Sequence, residues 1–332
     1  MGLKTVSNKA LLYLSYILRL DKSLGQPVIK LIEPTNACMM DCIMCPRKNM
    51  KRKIEFMKLD FFKHIIDQAK WNDNLWIHHF GDPLMHPKII EMIDYAAKKE
   101  IKPRISVNPN LLSEKMCERL INSRLHTIMI SLDGLDDKTY KYIRGVNADY
   151  KKAVDNINTL IRLKNEKCSK LRIVLHMVRM KINKNDSEKF KKLWNKNGVD
   201  EICVPDIDVI DVSDKKIIEQ GDDELFSKGF KDKENTSCAE PWTGVVINAS
   251  GTVVPCCFDY DEKYVVGDLK KESLKKIWNN KKMRLVRKQV KNKTLYKNPL
   301  CKNCYERNDY VLLKQFNYFF KILSERLRGE ND

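Results

Sequence analysis

The stretch ACMMDCIMCPRK, residues 37–48, places three cysteines, Cys38, Cys42 and Cys45, within eight residues and directly after the apolar run VIKLIEP. A structural zinc takes a closed tetrahedral set of four ligands, and three thiols leave that set one short. A cube of four irons and four sulfides needs one external ligand per iron. Three thiolates on one loop therefore hold three irons and leave the fourth open, the mark of a reactive metal centre. The C-x3-C-x2-C spacing after a strand argues against zinc and against a chance group of core thiols.

Outward from this loop, short β-rich runs alternate with helical patterns. The runs are VIKLIEP, LWIHHF, PRISVNP, TIMISLDG, LRIVLHMV and EICVPDIDV. Between them, LDFFKHIIDQAK, PKIIEMIDYAAKKE and YKKAVDNINTLIRLKNEK carry apolar residues at helical spacing. Alternating strands and helices imply right-handed crossovers and a parallel sheet. Six such units within residues 27–210 predict an α/β fold, an incomplete (β/α)6 TIM-like barrel. In such sheets chemistry sits at the carboxyl ends of the strands. The triad, FGDP, VNPN and SLDG follow the first four strands in order, so polar turn-forming residues collect on one rim.

The pattern changes after residue 210. Residues 211–236 read as a charged linker, and 237–310 as a small cysteine-rich β-hairpin/helix domain, with ASG as the turn inside WTGVVINASGTVVPCCF. Residues 1–26 and 311–332 read as amphipathic helices. The run ALLYLSYILRL is too short to span a bilayer, which needs about 20 apolar residues, and no secretory cleavage site follows it. It is expected to pack on the protein, with peripheral membrane contact as the less favoured reading.

The 332 residues carry a net charge of +18 from lysines scattered along the chain. A nucleic-acid track would cluster its basic residues and interleave aromatics, so the charge points to a solvated surface and a small polar, anionic substrate or an acidic partner. Eleven cysteines without an export signal favour metal ligation in a reducing, cytoplasmic compartment. Cys117, Cys168 and Cys203, isolated in apolar surroundings, are expected in the core.

The triad and the rim motifs resemble those of the radical S-adenosylmethionine superfamily across residues 27–210. The resemblance implies a [4Fe–4S] cluster on Cys38, Cys42 and Cys45 whose open iron chelates S-adenosylmethionine. Reduction then gives methionine and a 5'-deoxyadenosyl radical that takes a hydrogen atom from substrate. It implies that Gly81 and Asp82 receive the cofactor's ammonium group, although Phe80 and Asp82 replace the usual glycine and glutamate. It further places Asn108 close to the cofactor, Ser131 and Arg144 at its carboxylate, and Met44 near the adenine. An arginine fork suits a carboxylate through two parallel hydrogen bonds. A low-potential electron donor such as flavodoxin or ferredoxin is implied as partner.

A second group, Cys238, Cys256, Cys301 and Cys304, reads C-x12-G-x4-C through Gly251 and closes with CKNC. Four thiolates saturate either one zinc or one cube, and spacing does not choose. The pattern resembles the SPASM/twitch auxiliary-cluster extension of the same superfamily. With no cysteine after Cys304, one auxiliary [4Fe–4S] cluster is expected. Alternation along a strand turns Cys257 away from Cys256, leaving it a spare core thiol or, less favoured, a ligand.

The last hundred residues are similar to superfamily dehydrogenases that oxidise cyclitols with a single auxiliary cluster. The leading expectation is oxidation of a sugar or cyclitol carbinol carbon, with the auxiliary cluster accepting an electron. Asp206, Asp208 or Asp259 would serve as base, with His78, His79 and His176 behind them. Two other readings stand beside it. One is a peptide- or protein-modifying maturase of thioether, cross-link or formylglycine type, and the other a non-enzymatic metal-binding scaffold.

Overall fold

The computed structural model describes residues 3–207, 219–220, 238–302 and 304. Asp208, nearly all of 211–236 and all of 311–332 lie outside the described residues.

Six parallel strands run in chain order. They are β1 (Ile29–Ile32), β2 (Asn74–Trp76), β3 (Lys102–Val107), β4 (Thr127–Ser131), β5 (Arg172–His176) and β6 (Glu201–Cys203), each paired with the next. Helices cover the crossovers: α2 (Leu59–Gln68), α3 (Ile89–Lys98), α4 (Glu114–Asn122), α5 (Asp137–Arg144), α6 (Tyr150–Glu166) and α7 (Ser187–Trp194). Ser113, Asp136 and Asp149 start three of these helices by accepting a backbone N–H of the first turn. The incomplete parallel barrel expected from the sequence is therefore the fold.

Strand alternation gives the sheet two characters. Ile105, Val107, Ile128, Ile130, Ile173 and Leu175 are buried and belong to the same apolar core as Phe62, Ile65, Ile93, Leu120 and Leu160 of the covering helices. The alternate residues, among them Arg104, Ser106, Met129, Ser131 and His176, are only half-buried and line the barrel's lumen.

The C-terminal hairpin continues this sheet. β7 (Val245–Ile247) pairs parallel with β1, and β8 (Thr252–Val254) and β9 (Gly267–Asp268) follow antiparallel. The turn falls at ASG as expected. Gly251 has φ +92 there and donates to the Asn248 carbonyl at 2.9 Å. Three helices complete the region: α8 (Glu240–Thr243), α9 (Leu274–Trp278) and α10 (Lys281–Lys291).

The N-terminal helix α1 (Leu3–Ile17) docks on this region. Tyr16 meets the buried Trp242 edge-on at 5.4 Å, while Leu11, Leu14 and Ile17 face outward. Among the described residues no helix is long and apolar enough to cross a membrane.

Cys117 is buried as expected, but two other cysteines differ from expectation. Cys168 is exposed with φ +47, because it occupies the left-handed position that ends α6. Cys203 is half-buried, in register with His176 on the lumen side.

Candidate active site

The triad loop is pinned from one side by the end of α5. Asp41 donates its backbone N–H to the Arg144 carbonyl at 3.2 Å, and Ile43 to the Ile143 carbonyl at 2.9 Å. Gly145, with φ +94, lets the two segments approach, since a Cβ there would stand 3.1 Å from the Asp41 backbone. Within the loop, Cys45 donates to the Cys42 carbonyl at 3.0 Å.

Burial pushes the Cys38 thiol up to about 11 and the Cys45 thiol to about 12. Burial also raises Cys42, against the opposing pull of Arg144. Desolvated thiols of this kind ionise when a metal centre takes them as thiolates. Ligands of a single tetrahedral zinc stand about 4 Å apart. Among the described residues, only Glu240, Cys256 and Cys257 bring three ligand atoms within 4.8 Å of one another, and the triad does not.

The second and third strand ends form the adjoining rim. Gly81 has φ +154, and a Cβ there would lie 2.2 Å from the Thr35 carbonyl, so only glycine lets FGDP pass the β1 loop. Asp82 is buried, and burial lifts its carboxyl to about 6. Its Oδ1 accepts from Leu84 N at 2.9 Å and its Oδ2 from Asn108 N at 2.7 Å. Each oxygen keeps one lone pair for a further donor such as an ammonium group. Asn108 Nδ2 is buried without a partner, a donor free for a ligand's acceptor.

Arg144 lies deeper than a surface arginine would. Its guanidinium pairs with Asp133 of SLDG, a residue the sequence reading did not single out, and its Nη1 stands 3.6 Å from the Cys42 Sγ. Asp133 Oδ1 also accepts from Val178 N at 2.7 Å. This leaves Nε as the unpartnered donor of Arg144. Ser131 sits in register with His176. Met44 packs with Ile143, Met180 and Ile207 beside the triad loop.

The second cysteine group also gathers in space. The Cys238 thiol is raised well above its ordinary value by burial, then by Glu240, with Cys301 and Cys304 adding to the effect. Cys256 is raised by its hydrogen bond with Cys257 and then by burial, and it too feels Cys238. Glu240 is a member of this group that its sequence context did not reveal. It pairs with Lys30 of β1, whose Nζ also reaches Thr243 Oγ1 at 3.2 Å.

The two cysteine regions are joined by a buried charge network. Arg52 donates to both oxygens of Glu33 at 2.8 and 2.9 Å, and its Nε donates to the Tyr260 carbonyl at 2.8 Å. His79 Nε2 donates to the Cys257 carbonyl at 2.7 Å.

The base candidates separate on geometry. Asp259 is fully buried and accepts from Lys263 N at 2.6 Å and Tyr264 N at 2.8 Å. It staples the loop after the cysteines through these two backbone donors. Asp206 is ion-paired with Arg179 at 2.5 Å. Burial holds His78 down to about 3 and also lowers His176, so both imidazoles are neutral. His176 Nδ1 is buried without a partner.

Residues 32–179 match the family model "Radical SAM superfamily", and residues 238–305 match SPASM, an "Iron-sulfur cluster-binding domain". The chain is 37% identical over 87 residues to S-adenosyl-L-methionine-dependent 2-deoxy-scyllo-inosamine dehydrogenase of Niallia circulans, covering 24% of this chain and 35% of that enzyme. It spans about a third of the length of the curated relatives it matches. Among solved structures, BtrN in complex with AdoMet and 2-DOIA is similar with TM-score 0.53 and 20% identity, over 86% of this chain and 99% of that one. SuiB of Streptococcus suis bound to precursor peptide SuiA is similar with TM-score 0.65 and 18% identity, over 93% and 77%. At these identities the two structures show the shared fold.

Proposed function

The chain carries a radical SAM domain and an SPASM cluster-binding domain, and from that premise we propose that it oxidises a carbinol carbon of a sugar- or cyclitol-like substrate. The observation that carries the reading is the meeting, at one rim, of the buried Cys42 and the half-buried Cys38 and Cys45 with the unspent donors and acceptors of Asn108, Arg144 and Asp82.

In this reading Cys38, Cys42 and Cys45 hold the first [4Fe–4S] cluster, and Cys238, Cys256, Cys301 and Cys304 hold one auxiliary cluster. When bound, the first cluster supplies the electron that cleaves S-adenosylmethionine and starts hydrogen-atom abstraction from substrate. Asp82 receives the cofactor's ammonium on its free lone pairs, and Asn108 Nδ2 and Arg144 Nε offer donors to its oxygens, with Ser131 beside them. Gly81 lets the backbone approach, and Met44 packs at the adenine side. Neutral His176 takes the carbinol proton at a ring nitrogen; Asp206, locked to Arg179, is the weaker candidate. The group that Cys238, Cys256, Cys301 and Cys304 would hold would supply the acceptor for the substrate's remaining electron, which with the hydrogen atom and the proton already removed balances a two-electron oxidation to a ketone. A low-potential flavodoxin or ferredoxin supplies the starting electron.

Anaerobic reconstitution, reduction and incubation with carbon-deuterated sugars and cyclitols tests this. The expected result is deuterium in 5'-deoxyadenosine together with a ketone product. Cofactor cleavage without any ketone in the presence of substrate would sink the dehydrogenase version.

A second reading, a peptide-modifying maturase, is favoured by the likeness to SuiB bound to its precursor peptide. Deuterium transfer from a labelled peptide encoded beside the gene, and none from the cyclitols, would select it.

A further inference from the structure

The lumen of the barrel holds a cation that nothing within the described residues neutralises. Arg104 of β3 is half-buried, on the face of the strand that alternates with the buried Ile105. Its Nε is buried without a hydrogen-bond partner, and its contact is with the ring of Trp76, 5.7 Å from the guanidinium carbon. Trp76 in turn meets His78 edge-on at 5.1 Å.

The other arginines near the lumen are matched. Arg144 pairs with Asp133, Arg52 with Glu33, and Arg172 with Glu201 at 3.4 Å. The imidazoles of His78 and His176 do not compete for an anion, because burial keeps both neutral. The guanidinium is half-buried, and its Nε is a donor removed from water without an acceptor, which an oxyanion supplied by a ligand would satisfy.

We propose that Arg104 is the anion-binding floor of the lumen and that the substrate carries a phosphoryl or carboxylate group seated on it. The inference rests on the reading of the rim as the site of radical generation. From Arg104 to Asn108 the strand climbs about 13 Å at roughly 3.3 Å per residue. The arginine side chain fills part of that height, and the proposal places the substrate in the remainder. Arg104 offers five N–H donors in a planar fork, which matches two oxygens of either group.

The test uses the reconstituted holoenzyme, with inorganic phosphate and acetate as probes and chloride holding ionic strength constant. Thermal midpoints are titrated for the wild type, Arg104→Gln, Arg104→Lys and Lys102→Gln, the last removing an exposed charge from the same strand. Phosphate, acetate or both should raise the wild-type midpoint in a saturable way. The anion concentration needed should rise roughly tenfold or more in R104Q, the size of a lost charge-assisted pair. R104K should recover part of the response and K102Q all of it. A response to phosphate alone assigns a phosphoryl group, and one to acetate alone a carboxylate.

Equal titrations in wild type and R104Q would overturn the proposal, as would a wild type that responds to neither anion. Cofactor cleavage by the reduced wild type, measured in parallel without substrate, separates the two failures. Cleavage without anion binding sinks the inference alone, and absence of cleavage sinks the reading beneath it.

Discussion

His78 illustrates how a single buried group sets a response of the whole chain. Desolvation holds its imidazole down to about 3 in the fold, against about 6.5 in an unfolded chain. Between those values the unfolded state binds the proton and the folded state does not, so stability rises with pH and is lost as pH falls below about 6.5. The contribution is at most roughly 1.4 kcal/mol per pH unit, less for the part of the ring that water reaches. Replacing His78 by Gln should flatten the fall in urea midpoint between pH 6.5 and 4.5, read by circular dichroism. A slope identical to wild type would assign the acid lability to other groups.

Several residues of the site were legible because their chemistry is local. Three cysteines on one loop and glycine in FGDP announce themselves. Asp133 and Arg104 did not, because an aspartate in a turn and an arginine on a strand acquire meaning only from what faces them.

At the scale of elements, the decisive feature is how the loop after β1 is held. The sequence singled out YIRG for the arginine side chain. In the fold, two carbonyls of the same segment, those of Ile143 and Arg144, also receive the triad loop. The opposite flank is secured by Arg52, 8% exposed, against Glu33, 0% exposed. Substituting Arg52 by Met would leave that carboxylate buried and unpaired, and a loss of about 3–5 kcal/mol is expected. Chemical denaturation of the anaerobic protein measures it, and the double variant Glu33→Gln/Arg52→Met should recover part of the loss. Partners about 20 residues apart across a loop leave no periodic trace, which is why this pair was invisible in the sequence.

On the scale of the molecule, β7 pairs directly with β1, so the auxiliary cysteines hang from the same sheet that carries the triad. The two centres are thereby fixed relative to one another. Changing Cys301 and Cys304 together to Ala should lower iron from about eight to about four atoms per chain, with the far-ultraviolet signal of the barrel retained. Iron and sulfide analysis reads this out, and zinc at either site in native preparations would count against both clusters.

The sequence by itself determined the alternation of strands and helices, the rim on which polar turns collect, and the two cysteine sets. Each of these follows from short-range periodicity or spacing. Only the tertiary structure decided that the hairpin joins the barrel's first strand, that Arg144 is matched by Asp133, that Asp259 is a staple, and that Arg104 is left unmatched in the lumen. Charge pairing and burial arise between segments distant along the chain, and their energies exist only once the fold has removed water from between them.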